Sequence, residues 1–310
     1  MTMHSSMRLW SIVLLVAVGS SCGDSTGPQI IPAPPILFQI NGSTQPGAIT
    51  AIYAINPDGT GQQRLTDGMH YDGSSAWSPD GRMIAFSSNR DGQIELYTMR
   101  ADGSRQERLT HTTVSPGAAA PQLSMGSWSA KSVLAYVHNP PFASEGMLMT
   151  MPAGGGTPTA LTTGQTFCCP DWSPDGNRIV FTSTRVGGTS HLFISNADGT
   201  GVTQITSGAF GDGEPSWSPD GQHLAFTRLP ATGPAHIWVV NIDGTNPVQV
   251  TTGASFDGSP SWSPDGTEIA FVSSRDGEGD IYIMKADGTN VRRVTTTAMR
   301  KIGVRWRRTP

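Results

Sequence analysis

The chain has 310 residues, of which 36% are hydrophobic and only 14% charged, with a formal net charge of −4. That balance offers no basic field for nucleic acid, and no nucleic-acid partner is expected. Gly (37) and Pro (23) are abundant, which argues against a helical protein and for a turn-rich all-β one.

The N-terminus reads as a targeting segment. Arg8 precedes an apolar run from Leu9 to Val18, followed by Gly19, Ser20, Ser21 and Cys22. The run is too short to span a bilayer as a helix and fits an export signal over residues 1–21. The small residues before Cys22 resemble a bacterial lipoprotein signal. That resemblance implies lipidation of Cys22 and a membrane anchor in the cell envelope; ordinary cleavage, giving a secreted protein, is the alternative. Residues 22–35 are rich in Gly, Ser and Pro and read as a tether. Residues 36–310 are expected to form one folded domain.

A repeat governs that domain. W-S-P-D-G begins at Trp77, Trp172, Trp217 and Trp262, a degenerate W-S-A-K-S begins at Trp128, and Trp306 stands near the end. The intervals are 51, 44, 45, 45 and 44 residues, the length of one four-stranded propeller blade. Before the first repeat lie three strand-like segments, Ile36–Ile40, Thr50–Ile55 and Arg64–Thr66, with a D-G turn at Asp58-Gly59. Within each later unit an alternating apolar segment follows the Trp turn, such as Met83–Phe86 or Ile269–Phe271. A second follows, such as Ile94–Tyr97 or Ile281–Met284, then a D-G turn at Asp102, Asp198, Asp243 or Asp287, then a short strand. Gly supplies the positive φ of such turns, Pro presets φ, and Asp bonds backbone N–H groups two residues on. The Trp is expected to fill the wedge between neighbouring blades. A lone strand, Lys301–Arg307, remains at the end. It is expected to complete the N-terminal unit, giving an all-β, six-bladed, four-stranded antiparallel β-propeller without open sheet edges.

The succession W-S-P-D-G, I-A-F-x-S-x-R-D-G, I-Y-x-M-x-x-D-G and L-T resembles the TolB-like, WD40-like β-propeller repeat, over residues 36–310. Members of that family include TolB, which carries an α/β domain before its propeller and binds envelope proteins; here a signal and tether are expected in that place. The same repeats also precede the hydrolase domain of prolyl-oligopeptidase-type peptidases, but no G-x-S-x-G string occurs here. The resemblance is specific for fold and not for function, and the TolB role is not expected to transfer. A complete framework, variable loops and the missing catalytic string lead us to expect an envelope scaffold that binds a protein or peptide, with no enzyme activity and no cofactor.

In a four-stranded meander the W-S-P-D-G and D-G turns share one regular face, and the variable loops share the other. Variable loops on a rigid scaffold carry recognition, so the binding surface is expected at the variable mouth of the central channel. Asp72, Asp212 and Asp257 each lie five residues before a blade Trp, with aromatics Tyr71, Phe210 and Phe256 just before them. Arg90, Arg185 and Arg275 lie thirteen after a Trp, and Arg228 eleven after. These sets are expected either to pair between neighbouring blades or to form a charged rim that grips a ligand. Asp276, Glu278 and Asp280 alternate in one loop and are weak Ca²⁺ candidates; no metal is expected. His70, His138, His191 and His236 fall near the variable face. Their convergence would suit a propeller lyase or hydrolase, the alternative to binding; an anchored spacer without a ligand is a third reading. Cys168 and Cys169 are adjacent and are either two small thiols or a strained vicinal disulfide. The basic run Arg300, Lys301, Arg305, Arg307 and Arg308 reads as a solvated strand edge.

Overall fold

A computed structural model of the protein describes residues 34–41, 49–115, 117–143, 146–163, 166–297 and 299–308. The expected export signal, Cys22 and most of the expected tether lie outside these residues. Among the described residues no helix is long and apolar enough to cross a membrane. The chain forms six four-stranded antiparallel sheets, which are the six blades expected from the repeat.

In the first blade the C-terminal strand Lys301–Trp306 is innermost, followed outward by Ile36–Asn41, Thr50–Ile55 and Gln63–Arg64. The second blade runs Asp72–Trp77, Met83–Ser88, Glu95–Arg100 and Glu107–Arg108, and the later blades repeat that order. Each outermost strand is only two residues long, as in Gln63–Arg64 and Arg292–Arg293, and is exposed or nearly so. Short, polar edge strands give another chain little to pair with.

The core is divided among the seams between blades. Trp77 packs with Leu37, Ile52 and Leu65 of the first blade and with Ile84, Phe86 and Met99 of its own. Trp172, Trp217 and Trp262 fill the corresponding seams further round, and Trp306 fills the closing one against Ala270, Ile281 and Ile283. Because each blade is covered on both faces, its second strand is buried along its centre: Ile84, Ala85 and Phe86 are all fully enclosed. The apolar alternation in these segments is correspondingly weak, as expected for strands buried on both sides.

The turn chemistry follows from the repeated residues. Ser78 Oγ donates to Asp80 Oδ1 (2.6 Å) and accepts from the Met83 N–H (2.9 Å), while Asp80 Oδ1 accepts the Arg82 N–H (3.1 Å). Ser173 with Asp175 and Ser263 with Asp265 repeat the arrangement. The glycines of the D-G turns have a second reason to be glycine. Gly103 has φ of +84°, and a Cβ there would stand 2.5 Å from the Leu65 carbonyl oxygen of the preceding blade. Gly288 meets Val250 in the same way, at 2.3 Å.

Hydrogen bonds also cross the seams near the axis. The Trp172 N–H donates to Ser127 Oγ (2.8 Å), the Trp217 N–H to Asp171 Oδ2 (2.9 Å) and the Trp306 N–H to Ser261 Oγ (2.8 Å). In the basic C-terminal run Arg300 is exposed, but the rest is not a solvated edge. Lys301 is fully buried against Asp280. Arg307 lies over the Trp77 ring, 5.5 Å from its centroid. Arg308 crosses the regular face to Asp171 and to the Trp172 carbonyl.

Candidate ligand-binding mouth of the central channel

The aspartates five residues before Trp77, Trp217 and Trp262 are buried framework and not an exposed rim. Asp72, Asp212 and Asp257 are 0%, 1% and 0% exposed. Their arginine partners come from the same blade and not from a neighbour: Arg90 meets Asp72 at 2.8 Å, Arg228 meets Asp212 at 2.7 Å and Arg275 meets Asp257 at 3.0 Å. The blade supplies both groups because Asp stands at the start of its innermost strand and Arg at the end of the second strand, as Arg228, or in the loop just after it, as Arg90 and Arg275. Each guanidinium also lies between two rings of its blade. Arg228 is 5.2 Å from the Phe226 centroid and 4.8 Å from that of Trp238, and Arg90 and Arg275 are placed likewise. Arg185 keeps its two rings, Phe181 and Phe193, but donates to Ser183 Oγ (3.2 Å) in place of a carboxylate. Desolvation there lowers its pKa.

A neighbouring blade does reach these aspartates, through histidine. His191 Nδ1 lies 3.6 Å from Asp212 Oδ2, and His236 Nδ1 lies 3.7 Å from Asp257 Oδ2. In the first seam Thr50 Oγ1 takes that place, donating to the Asp72 carbonyl (2.7 Å). The histidines are thus spread over successive seams. Among the described residues no three His, Cys, Asp or Glu side chains gather as a metal site. The three alternating carboxylates are split as well. Asp276 accepts from the Tyr282 hydroxyl, Asp280 holds Lys301, Arg293 and Thr295, and Glu278 is exposed at the channel mouth.

The feature that sequence reasoning missed lies three residues before the Trp. The innermost strand of a blade is bulged there: in the fifth blade Gly213 pairs with Thr227, but Ser216 pairs with Ala225. Bulges re-aim side chains. Ser74, Cys169, Glu214 and Ser259 all adopt left-handed φ values of 48°, 59°, 52° and 52°, and Gly303 takes 62° in the closing strand. A non-glycine residue held there costs on the order of 1 kcal/mol, and such strain concentrates at functional sites. All five line one cavity of about 300 Å³ at the variable end of the channel. Its hydrogen-bonding is partly internal: Glu214 accepts from Thr227 Oγ1 (2.7 Å), the Ser259 N–H (2.8 Å) and Ser259 Oγ (3.0 Å). The signal was present in the sequence, since the position is occupied by Ser, Cys, Glu, Ser and Gly inside otherwise repetitive strands.

Two of the expected aromatics wall this mouth. Tyr71 and Phe256 line the cavity and lie over Gly73 and Gly258, where an added Cβ would stand 2.7 Å from the Tyr71 hydroxyl and 2.6 Å from the Phe256 ring. Phe210 is 43% exposed and is not among the cavity's lining residues. Deeper in, Arg305 lines both this cavity and a second one of about 410 Å³ at the regular face. It donates to the Val304 carbonyl (3.3 Å), and among the described residues no carboxylate lies within ion-pair distance of it. Cys168 and Cys169 are free thiols, so the vicinal disulfide is not formed in this structure.

A ring of six blades closed by its own C-terminal strand defines a closed β-propeller with a walled mouth at one end of its channel. The family model described as the TolB beta propeller domain matches residues 118–229 and 213–308. The chain belongs to that family. It is 33% identical over 134 residues to an uncharacterised protein of Agrobacterium fabrum, covering 42% of this chain and 46% of that one. It is 43% identical over 75 residues to the Tol-Pal system protein TolB of Geobacter sulfurreducens, 21% of this chain and 16% of that one. The matches thus span less than half the length of these curated relatives. Among solved structures, TolB from Acinetobacter baumannii superposes with a TM-score of 0.74 at 19% identity, covering 88% of this chain and 66% of that one. An oligogalacturonate lyase in complex with manganese superposes with a TM-score of 0.54 at 17% identity, covering 85% and 73%. At these identities the likeness is one of fold, and a fold does not fix a function.

Proposed function

We propose that this protein is an exported, envelope-anchored scaffold that holds a segment of another envelope protein at the variable mouth of its channel and carries out no reaction there. The observation that carries this reading is the ring of left-handed bulge residues around a mouth walled by Tyr71 and Phe256. The arrangement offers two aromatic surfaces, a circle of small hydrogen-bonding groups and, beneath them, a cation without a carboxylate partner. Such a site suits a peptide segment that presents an apolar side chain to the walls and an acidic group to Arg305. The buried Asp–Arg pairs hold the loops that present the walls. Family membership supports the envelope setting, and lipidation at Cys22 would provide the anchor. Capture of envelope proteins by the wild type and by a Tyr71→Ser/Phe256→Ser variant tests the reading. A partner retained by the wild type and by an Asp243→Ala variant on the regular face, and lost from the double variant, is expected. Equal capture by all three would overturn it.

A further inference from the structure

We propose that Cys168 and Cys169 form a reversible thiol–disulfide site at the variable mouth, closing on each other when the protein meets a low-molecular-weight disulfide. In a regular strand successive side chains point to opposite faces, and adjacent cysteines do not meet. The chain departs from that geometry here. Cys168 pairs with Thr182 and Asp171 with Val180, so Cys169 and Pro170 together oppose one residue of the next strand. Cys169 sits at φ of 59° in this bulge, directly after Cys168. Both cysteines are partly exposed, and Cys169 lines the mouth. In the second, fifth and sixth blades the residue before the bulge is Gly73, Gly213 or Gly258. The fourth blade is where two adjacent reactive side chains occupy this turn.

The chemistry balances as two thiol–disulfide exchanges. The neighbouring Cys169 thiol favours the thiolate on Cys168, while Cys169 holds its proton more tightly; burial and the nearby Glu214 carboxylate oppose charge on both. The Cys168 thiolate attacks one sulfur of the external disulfide, forming a mixed disulfide and releasing the first thiolate. Cys169 then loses its proton and attacks the Cys168 sulfur, expelling the second thiolate. Two electrons pass to the oxidant, which leaves as two thiols. Closure removes a thiol donor from the ring around the mouth and locks the bulge. The closure reaction does not depend on what the mouth binds.

Full-length protein equilibrated in glutathione buffers of increasing oxidised fraction, quenched in acid, labelled with maleimide and digested with trypsin gives the test. Both cysteines fall in the peptide Ser132–Arg178. We expect this peptide to pass from doubly labelled to unlabelled and lighter by two hydrogens, and to recover both labels with dithiothreitol. Cys168→Ser and Cys169→Ser variants should instead keep a single reactive sulfur, labelled or glutathionylated, at every buffer ratio. Double labelling throughout, a persistent glutathione adduct in the wild type, or a linkage to Cys22 would overturn the proposal. Partner capture by a Cys168→Ser/Cys169→Ser variant separates this from the binding reading, which stands or falls on capture alone.

Discussion

Arg228 and Arg185 occupy equivalent places between two rings, but only Arg228 neutralises a buried carboxylate. Removing one partner of a buried ion pair leaves the other charge unpaired and typically costs 3–5 kcal/mol, whereas a cation–π contact contributes roughly 0.5–1 kcal/mol. The Arg228→Ala variant should therefore lose about 3 kcal/mol of stability, and Arg185→Ala about 1 kcal/mol, in urea unfolding. Equal losses would show that the aspartates are not held by their arginines. The glycines permit a similar comparison. Gly92 and Gly103 both have positive φ, but a Cβ at Gly92 meets nothing within 4 Å while one at Gly103 meets the preceding blade. Gly92→Ala is expected to cost on the order of 1 kcal/mol from backbone strain alone, and Gly103→Ala clearly more. Calorimetric melting of the two variants checks the order.

At the scale of the strand, the closing seam differs from those of the fifth and sixth blades in which strand supplies the carboxylate. In the fifth and sixth blades an Asp five residues before the Trp faces a His of the preceding blade. At the closing seam that position is Lys301, and its partner from the preceding blade is Asp280 at 2.7 Å. A reversed pair marks the C-terminal strand for this seam, because at the fifth or sixth position it would bring lysine against histidine. Burial opposes ionisation of Asp280, but Lys301, Thr295 and Arg293 outweigh it and hold its pKa below the ordinary value. Glu95 is likewise depressed: burial opposes its charge, while Thr110, the Thr112 N–H, Gln93 and Arg108 prevail. A carboxyl with a lower pKa in the folded state adds stability that is present above its unfolded value, near pH 4, and lost as pH falls through the folded value. The urea midpoint should thus drop between about pH 6 and about pH 3. Asp280→Asn and Glu95→Gln variants should show a shallower drop from a lower starting midpoint. A slope unchanged in both variants would remove these two groups from the account.

At the scale of the whole molecule, the ring was legible because its determinants are local and repeated. Each W-S-P-D-G turn carries its own hydrogen bonds, so four copies fixed the blade, and the unpaired segments at the two ends fixed its closure. The site was legible only in part. Tyr71 and Phe256 were singled out and do wall the mouth. The Asp and Arg sets are periodic, but periodic charges in a repeat serve the blade, and here the aspartates are buried and the arginines half-buried. The bulge position is marked in the sequence only by its unlike residues, Ser74, Cys169, Glu214, Ser259 and Gly303, because its conformation comes from strand register. Closure also has a direct consequence: deleting residues 301–310 strips the first blade of its inner strand and opens the closing seam. That variant should lose the single cooperative unfolding transition and associate through the exposed edge in size-exclusion chromatography; a monomer with an unchanged transition would contradict ring closure by this strand. The central claim, that the variable mouth receives another protein, is tested most directly by site-specific photo-crosslinking in intact cells. A photoreactive residue is placed in turn at Phe256, at Ser259 and, on the regular face, at Asp243. The account predicts one envelope protein crosslinked from Phe256 and Ser259 and not from Asp243. Crosslinks from Asp243 alone, or none from the two mouth positions, would contradict it.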